Sequence, residues 1–263
     1  RSKERQTVGI VEYERQGNIA IITMNRPERL NALGYDMMLG LAQTWACFQE
    51  DEEAWVGIIT GTGRSFCAGL DLKERLDSGK AGLALPRIPI RDPFFDYEID
   101  KPTIAAVNGF ALGGGFFLTI RADLRVAVEN ATFQITEVVR GAAAGWDWEL
   151  WENLPSAITA ELASGTLLTA QRAYDVGLIN RVVPDGKALD AALELAQLFL
   201  SSPPLAAHYN LKLMRDLKRT RMAIGHRLWD EGRSYNRELR SSYDVKESMR
   251  SFVEKRKPVY QRR

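Results

Sequence analysis

The chain has 263 residues, of which 45% are hydrophobic, so it is long enough to bury one large α/β core. Its 35 basic and 34 acidic residues give a formal net charge of +1, which argues against nucleic-acid or membrane-surface partners. The two cysteines are too few for a disulfide framework. No apolar run approaches the roughly 18 residues of a membrane span, and the charged start RSKER lacks the apolar core of a signal peptide. We therefore expect a cytoplasmic protein.

The predicted elements begin with two short β-like runs, residues 8–13 and 18–24, which a turn at residues 15–17 joins into a hairpin. Apolar residues at helical spacing then predict a helix over Tyr35–Glu50. Residues 55–60 form the next predicted strand, and its composition indicates that it is buried. Three amphipathic helices are predicted near the end of the chain, over residues 188–200, 205–217 and 223–239.

Two stretches combine a strand end, a glycine corner and a helix start. One is SFCAGLDL at residues 65–72, and the other runs from a predicted strand at Thr103–Val107 to the triplet Gly113-Gly114-Gly115. Glycine lets another group approach the backbone closely, and a helix start carries N–H groups with no acceptor in the helix. Each corner alone also fits a tight turn without a ligand. Together they can aim two N–H groups at one oxygen atom, as enolate or tetrahedral chemistry requires.

Four segments in this chain resemble the crotonase, or enoyl-CoA hydratase/isomerase, superfamily. They are NRPERLNAL at residues 25–33, GTGRSFCAGLDL at 61–72, KPTIAAVNGFALGGG at 101–115 and FVEKRKP at 252–258. The resemblance covers nearly the whole chain in the family's order, and the combination is far more specific than any one motif. A dinucleotide-binding fold is the competitor, but no G-x-G-x-x-G opens a helix with an acidic residue about 20 positions later.

The resemblance implies an α/β fold in which residues 1–185 form a crotonase-like spiral of repeated ββα units with the acyl-CoA site. Residues 186–263 would form a C-terminal helical region through which chains assemble as trimers or hexamers. A coenzyme A thioester would be the substrate, without a further cofactor, and the backbone N–H groups of Leu70 and Gly114 would hold its thioester oxygen. The CoA-binding positions that the resemblance carries over are Arg29, Leu30, Ala32, Ala68, Asp71, Leu72 and, for the phosphates, Lys255.

The acid–base residues depart from the family's hydratase pattern. Hydratases hold a water between two glutamates, whereas this chain has Phe117 at the first position and Glu137 at the second, with Thr136 in place of the usual proline before it. A phenyl ring neither accepts nor donates a proton, so the two-glutamate mechanism does not carry over. Family isomerases use a single glutamate at the position of Glu137, and we therefore expect proton transfer at an enoyl-CoA double bond. The plainer interpretation of Glu137 is a charge near a helix N-terminus.

A tryptophan-rich segment, GWDWELWENLP, follows the second glutamate position. Trp146 either packs in the core or a subunit interface, or it walls an acyl pocket in which Asp147 supplies a second carboxylate. A C–C hydrolase or lyase of the superfamily using Asp147 or Glu152 is therefore an alternative, and so is a non-catalytic acyl-CoA-binding protein. The two histidines have no Asp, Glu or Cys at ligand spacing, so we expect no metal site.

Overall fold

The strands of the protein form two sheets, in a computed structural model that describes residues 4–77, 86–94, 98–142, 150 and 154–261. The strands are β1 (Glu4–Val8), β2 (Val11–Gln16), β3 (Ile19–Met24), β4 (Val56–Gly61), β5 (Ser65–Cys67), β6 (Thr103–Val107), β7 (Phe110–Leu112), β8 (Leu124–Val128), β9 (Thr132–Gln134), β10 (Leu168–Thr169) and β11 (Arg181–Val183). The larger sheet has the order β1-β2-β3-β4-β6-β8-β11, and the smaller sheet has the order β10-β9-β7-β5.

The helices follow the strands in a regular alternation in the first half of the chain. They are α1 (Tyr35–Glu50), α2 (Leu72–Asp77), α3 (Gly114–Arg121), α4 (Thr136–Val139), α5 (Ser156–Ala163), α6 (Ala170–Asp175), α7 (Ala188–Ser201), α8 (Pro204–Ser241) and α9 (Tyr243–Val253). None of the described helices is both long and apolar enough to cross a membrane.

Three consecutive ββα units build the part of the fold that matters for function. In each unit the first strand (β4, β6 or β8) joins the large sheet, the second (β5, β7 or β9) joins the small sheet, and a helix (α2, α3 or α4) follows. The second strands pair in parallel, β5 with β7 and β7 with β9. The carboxyl ends of parallel strands lie at one edge of a sheet, so the three helix starts are brought together there. The repeated ββα arrangement confirms the fold predicted from the sequence.

The core lies around the central parallel strands of the large sheet. Every residue of β6 is buried, as expected for a parallel strand covered on both faces. Helix α1 contributes the fully buried side chains of Trp45 and Phe48. Gly57 of β4 has no side chain because the Phe48 ring lies over it, and a Cβ atom there would be 2.9 Å from that ring. Helix α7 packs against β4, β6 and β8.

Three of the elements predicted from the sequence are wrong in their boundaries. The run at residues 8–13 is divided, because Gly9 has a φ of +63° and makes the turn between β1 and β2. The helices predicted at residues 205–217 and 223–239 form one helix, α8, since the intervening residues contain no glycine or proline to stop it. The predicted division of the chain after residue 185 stays a prediction.

Arg215 anchors the long helix α8 to the edge of the core. Its guanidinium pairs with the carboxylate of Asp123 and donates to the carbonyl oxygens of Ile99 at 2.7 Å and Lys101 at 2.8 Å. Asp123 in turn accepts hydrogen bonds from the backbone N–H and the hydroxyl of Thr103, at 2.8 and 2.9 Å. Both charged side chains are largely buried, so removal of one partner leaves the other desolvated without its counter-charge.

We expect Arg215→Met to lower the free energy of unfolding by about 3–5 kcal/mol, because it leaves the Asp123 carboxylate buried without its partner. Arg181→Met is the matched control, since its pair with Glu194 is solvent-exposed and should contribute less than about 1 kcal/mol. Urea denaturation measures both. Equal, small losses in the two variants would contradict a structural role for the Arg215 pair.

Candidate active site

Three corners of the chain lie at the carboxyl edge of the small sheet. The first corner, residues 68–71, follows β5; the second, residues 113–115, follows β7; and the third, residues 135–137, follows β9. The first two corners are in contact. A Cβ atom placed on Gly69 would lie 2.6 Å from the carbonyl oxygen of Leu112 and 3.3 Å from the backbone nitrogen of Gly114. Gly69 also has a φ of +81°, so glycine is required there for both space and conformation.

The backbone N–H groups of Leu70 and Gly114 have no protein acceptor within the described part of the chain. Nearby N–H groups do: those of Ala68, Asp71 and Gly113 donate to backbone carbonyl oxygens at distances of 2.9 to 3.2 Å. Gly114 begins α3, where an N–H group has no acceptor inside the helix. The two corners therefore present two backbone N–H groups from which a ligand oxygen can accept hydrogen bonds.

The Glu137 carboxylate lies against the second corner. A Cβ atom placed on Gly113 would be 3.3 Å from each carboxylate oxygen of Glu137 and 2.5 Å from the hydroxyl oxygen of Thr136. The φ of Gly113 is +51°, a conformation that favours glycine. Because Gly113 immediately precedes Gly114, the structure brings the predicted base next to one of the two predicted N–H donors.

Phe117 occupies the position of the first glutamate in the hydratase pattern. It lies on α3 with only 5% of its surface exposed. The guanidinium carbon of Arg121, one helical turn later, is 4.5 Å from the centroid of the Phe117 ring, which is cation–π geometry. The side chain at this position is therefore an aromatic ring packed inside the protein. The other predicted residues of this region, Trp146 and Asp147, lie outside the described residues, as does Glu152.

Asn31 shapes the loop that holds the predicted CoA-binding residues 29, 30 and 32. Its side chain is completely buried, accepts from the N–H of Arg26 at 2.9 Å, and donates to the carbonyl oxygens of Thr62 at 3.0 Å and Ser65 at 2.8 Å. Leu30 and Asn31 both have φ near +54°. Sequence reasoning missed Asn31, although asparagine tolerates this conformation better than most residues. Asn31 thus fixes the loop to the strand that leads into the first corner.

Asp71 holds the first corner rather than presenting a free carboxylate to a ligand. Only 4% of its surface is exposed. One carboxylate oxygen accepts from the Arg26 guanidinium at 3.1 Å, and the other accepts from the N–H of Glu74 at 3.0 Å, at the start of α2. Its predicted substrate contact stays a prediction. Ala68 and Leu72, on either side of the corner, are partly exposed.

Lys255 is exposed and lies just after the end of α9. Helix α9 packs against α4, the helix that begins at the third corner. The Ser248 hydroxyl of α9 donates to the carbonyl oxygen of Val139 at 3.2 Å. A Cβ atom placed on Gly141, just beyond α4, would be 2.7 Å from a methyl carbon of Val245. The C-terminal helix that precedes Lys255 is thus packed next to the helix that bears the carboxylate.

Cys67 lies immediately before the first corner but is not suited to nucleophilic chemistry. Its thiol is fully buried, and burial raises its pKa to about 12. A thiol with such a pKa is protonated at neutral pH and therefore unreactive. No group of three or more His, Cys, Asp or Glu side chains that could hold a metal ion occurs among the described residues.

The fold and the site together define an α/β protein that carries two backbone N–H donors and one carboxylate on neighbouring corners of the small sheet. The model of the family described as Enoyl-CoA hydratase/isomerase matches residues 14–263. Enoyl-CoA hydratase EchA19 of Mycobacterium tuberculosis is 36% identical over 262 residues, which cover 95% of this chain and 96% of that protein. The chain therefore belongs to the enoyl-CoA hydratase/isomerase family.

Other relatives agree with this assignment. A carnitinyl-CoA dehydratase of Salmonella enteritidis is 36% identical over 263 residues, covering 95% of this chain and 97% of that protein. The crystal structure of a carnitinyl-CoA hydratase from Mycobacterium avium matches with a TM-score of 0.84 and 36% identity, over 97% of this chain and 99% of that one. The protein is thus an enzyme of this family with the crotonase fold.

We expect Gly113→Ala to lower turnover of a CoA thioester substrate by about 10²-fold or more, the loss typical of a misplaced general base, because the displaced corner carries Glu137. The added methyl group would lie 2.5 Å from the Thr136 hydroxyl oxygen and displace the third corner from the second. Gly186→Ala is the matched control, because Gly186 also has a positive φ, +76°, but no other group within 4 Å. Steady-state kinetics should show lost turnover only for Gly113→Ala, and thermal unfolding checks that both variants are folded. Full activity of that variant would contradict the proposed geometry.

Proposed function

We propose that this enzyme acts on an acyl-CoA thioester, with the N–H groups of Leu70 and Gly114 holding the thioester oxygen and Glu137 moving a proton on the acyl chain. The observation that carries this proposal is the position of Glu137, whose carboxylate oxygens lie against Gly113, beside one of the two donors. An acyl group whose carbonyl oxygen sits between the donors has its next carbons within reach of that carboxylate. Oxyanion stabilisation and proton transfer can then both occur while the substrate stays bound in a single orientation.

The proposed reaction is a shift of the double bond. Glu137 removes a proton from C2 of a 3-enoyl thioester, and the electron pair delocalises through the carbonyl group onto the thioester oxygen. The two N–H groups stabilise the negative charge that develops on that oxygen. The protonated Glu137 then returns the proton at C4, which leaves the double bond between C2 and C3. One carboxyl group performs both transfers, so no second acid or base is needed.

Phe117 is the reason to favour isomerisation over hydration. Addition of water needs a second group to hold or activate the water, and the usual position for it is an aromatic ring covered by Arg121. The names of the relatives, a hydratase and a carnitinyl-CoA dehydratase, favour hydration or dehydration as the second candidate function. That candidate requires another residue, Asp147 first, to replace the missing glutamate. A C–C hydrolase or lyase using Asp147 or Glu152 and a non-catalytic acyl-CoA-binding protein remain alternatives for the test.

The CoA part of the substrate is proposed to bind between the loop that Asn31 fixes and the first corner. Arg29, Leu30 and Ala32 would supply one side, and Ala68, Leu72 and the backbone of Asp71 the other. The exposed ammonium group of Lys255 would meet the phosphates, and Trp146 would contact the acyl group. The proposal includes no metal and no cofactor other than the CoA thioester itself.

We expect Glu137→Gln to lower turnover of the best enoyl-CoA substrate by at least about 10²-fold, the size of a lost general base. Binding of CoA esters should change by less than about twofold, because the oxyanion donors are backbone groups. Glu129→Gln, an exposed residue before β9, is the control and should keep full activity. A turnover screen with product identification measures the activity. Calorimetry with CoA esters, and with free acids for comparison, measures the binding.

Each contrary result of this experiment has a different meaning. If Glu137→Gln keeps full turnover, Glu137 is only a helix-end charge and the mechanism is wrong. If the wild type hydrates crotonyl-CoA faster than it isomerises any 3-enoyl-CoA, the second candidate function replaces the first. If CoA esters bind without any turnover, the protein is an acyl-CoA-binding protein, and if none binds, the proposal fails.

We also propose that the chain self-associates through α8, as a trimer or hexamer. Large apolar side chains recur at every fourth position along one face of this helix and are more than half exposed: Leu205, Tyr209, Leu213 and Leu217. Exposed contiguous apolar surface marks an interaction site. Light scattering should show a trimer or hexamer at micromolar concentration, and the double change Leu213→Glu with Leu217→Glu should dissociate it. A wild-type monomer would contradict the proposal.

A further inference from the structure

We propose that the Thr136 hydroxyl is a specificity-determining group that binds an oxygen substituent on the acyl chain. The preferred substrates would then be CoA thioesters whose acyl chain carries a hydroxyl or carbonyl oxygen within a few carbons of the thioester. This inference rests on the proposed binding of CoA thioesters at the same site. It adds a polar acyl group to the substrate class.

Thr136 lies beside Glu137, the group that acts on the acyl chain in the proposed function. Its hydroxyl oxygen and the two carboxylate oxygens of Glu137 lie 2.5, 3.3 and 3.3 Å from one point, the Cβ position of Gly113. Standard bond lengths put that hydroxyl within roughly 6 Å of the Gly114 nitrogen. An acyl chain that reaches Glu137 from a carbonyl oxygen held by that nitrogen would therefore also come close to Thr136.

The Thr136 hydroxyl is available to a ligand. In the described part of the chain it makes no hydrogen bond, and the residue is partly exposed. The hydroxyls of Thr60, Thr119 and Thr159, by contrast, donate to backbone carbonyl oxygens at 2.8 to 3.0 Å. A threonine hydroxyl donates one hydrogen bond and accepts others, so it matches a substrate hydroxyl in either direction and a carbonyl oxygen as donor.

The chemistry of the group sets its role. Threonine is not a general acid or base at neutral pH, so the inference assigns it binding and leaves proton transfer to Glu137. An unsubstituted acyl chain would cover the hydroxyl and leave it without a partner, and loss of a partner for a desolvated polar group is unfavourable. An oxygen-bearing chain avoids that cost. The preference expected from one neutral hydrogen bond is roughly tenfold in affinity.

Calorimetry with butyryl-CoA, 3-hydroxybutyryl-CoA and 4-hydroxybutyryl-CoA tests this inference, in the Glu137→Gln background so that turnover does not interfere. With Thr136 present, at least one hydroxylated ester should bind about tenfold more tightly than butyryl-CoA. Thr136→Val, which replaces the hydroxyl by a methyl group of similar size, should abolish that preference, chiefly by binding butyryl-CoA more tightly, because no hydroxyl is then left without a partner. Thr136→Ser keeps the hydroxyl and should keep the preference. Thr136→Ala should behave as valine does.

The outcomes separate this inference from the proposed function. Equal binding of all three esters with Thr136 present, or a preference that survives Thr136→Val and Thr136→Ala, contradicts the role of Thr136 alone. If Thr136→Val weakens the binding of butyryl-CoA and of the hydroxylated esters by the same factor, Thr136 has only a structural role, and the inference is contradicted. Failure of every ester to bind contradicts the proposed function and this inference together.

Discussion

The parallel pairing of β5, β7 and β9 is the constraint on which the site depends. Parallel strands end at a common edge, so the residues that follow them are neighbours although they are far apart in the sequence. The first corner supplies Leu70, the second supplies Gly114 and the third supplies Glu137. Each ββα unit therefore brings one group of the proposed mechanism to this edge of the small sheet, and the first strands of the three units pair in the large sheet.

Close approach of the corners depends on glycine at a few positions. Side chains at Gly69, Gly113 or Gly115 would collide with a carbonyl oxygen or with Thr136, at 2.1 to 2.6 Å. Since the two proposed N–H donors belong to the backbone, changes in other nearby side chains leave them in place as long as these glycines are kept. The reaction then depends on which side chains the third corner and α3 place beside these donors. In this chain they present Glu137, Thr136 and the ring of Phe117.

The sequence predicted the parts of the structure that local signals determine. The helix at Tyr35–Glu50 and the strand at Thr103–Val107 have the predicted bounds, because periodicity and flanking turn residues specify them. The hairpin boundary failed at Gly9, where a single positive φ divides an apparently continuous run. Helix α8 was divided in the prediction because its polar middle interrupts the apolar pattern, although nothing there breaks a helix.

The sequence also indicated the two donor corners and the missing first glutamate, but it did not reveal the contacts between distant segments. Asn31 bonds to carbonyl oxygens 31 and 34 residues away, and no local pattern encodes such a partner. Thr136 stood out only as a departure from the family's proline. Its significance follows from its proximity to Gly113, which the pairing of β7 with β9 creates.

Polarisation of the thioester carbonyl by the two corners is the central claim, and isotope-edited infrared spectroscopy measures it directly. The sample is butyryl-CoA labelled with ¹³C at the thioester carbonyl, free in buffer and bound to the enzyme. Two hydrogen bonds from Leu70 and Gly114 weaken the C=O bond, so its stretching frequency should fall on binding. The same fall is expected with Glu137→Gln, because the carboxylate is not a donor. A bound carbonyl frequency equal to that in water, or above it, would contradict the account.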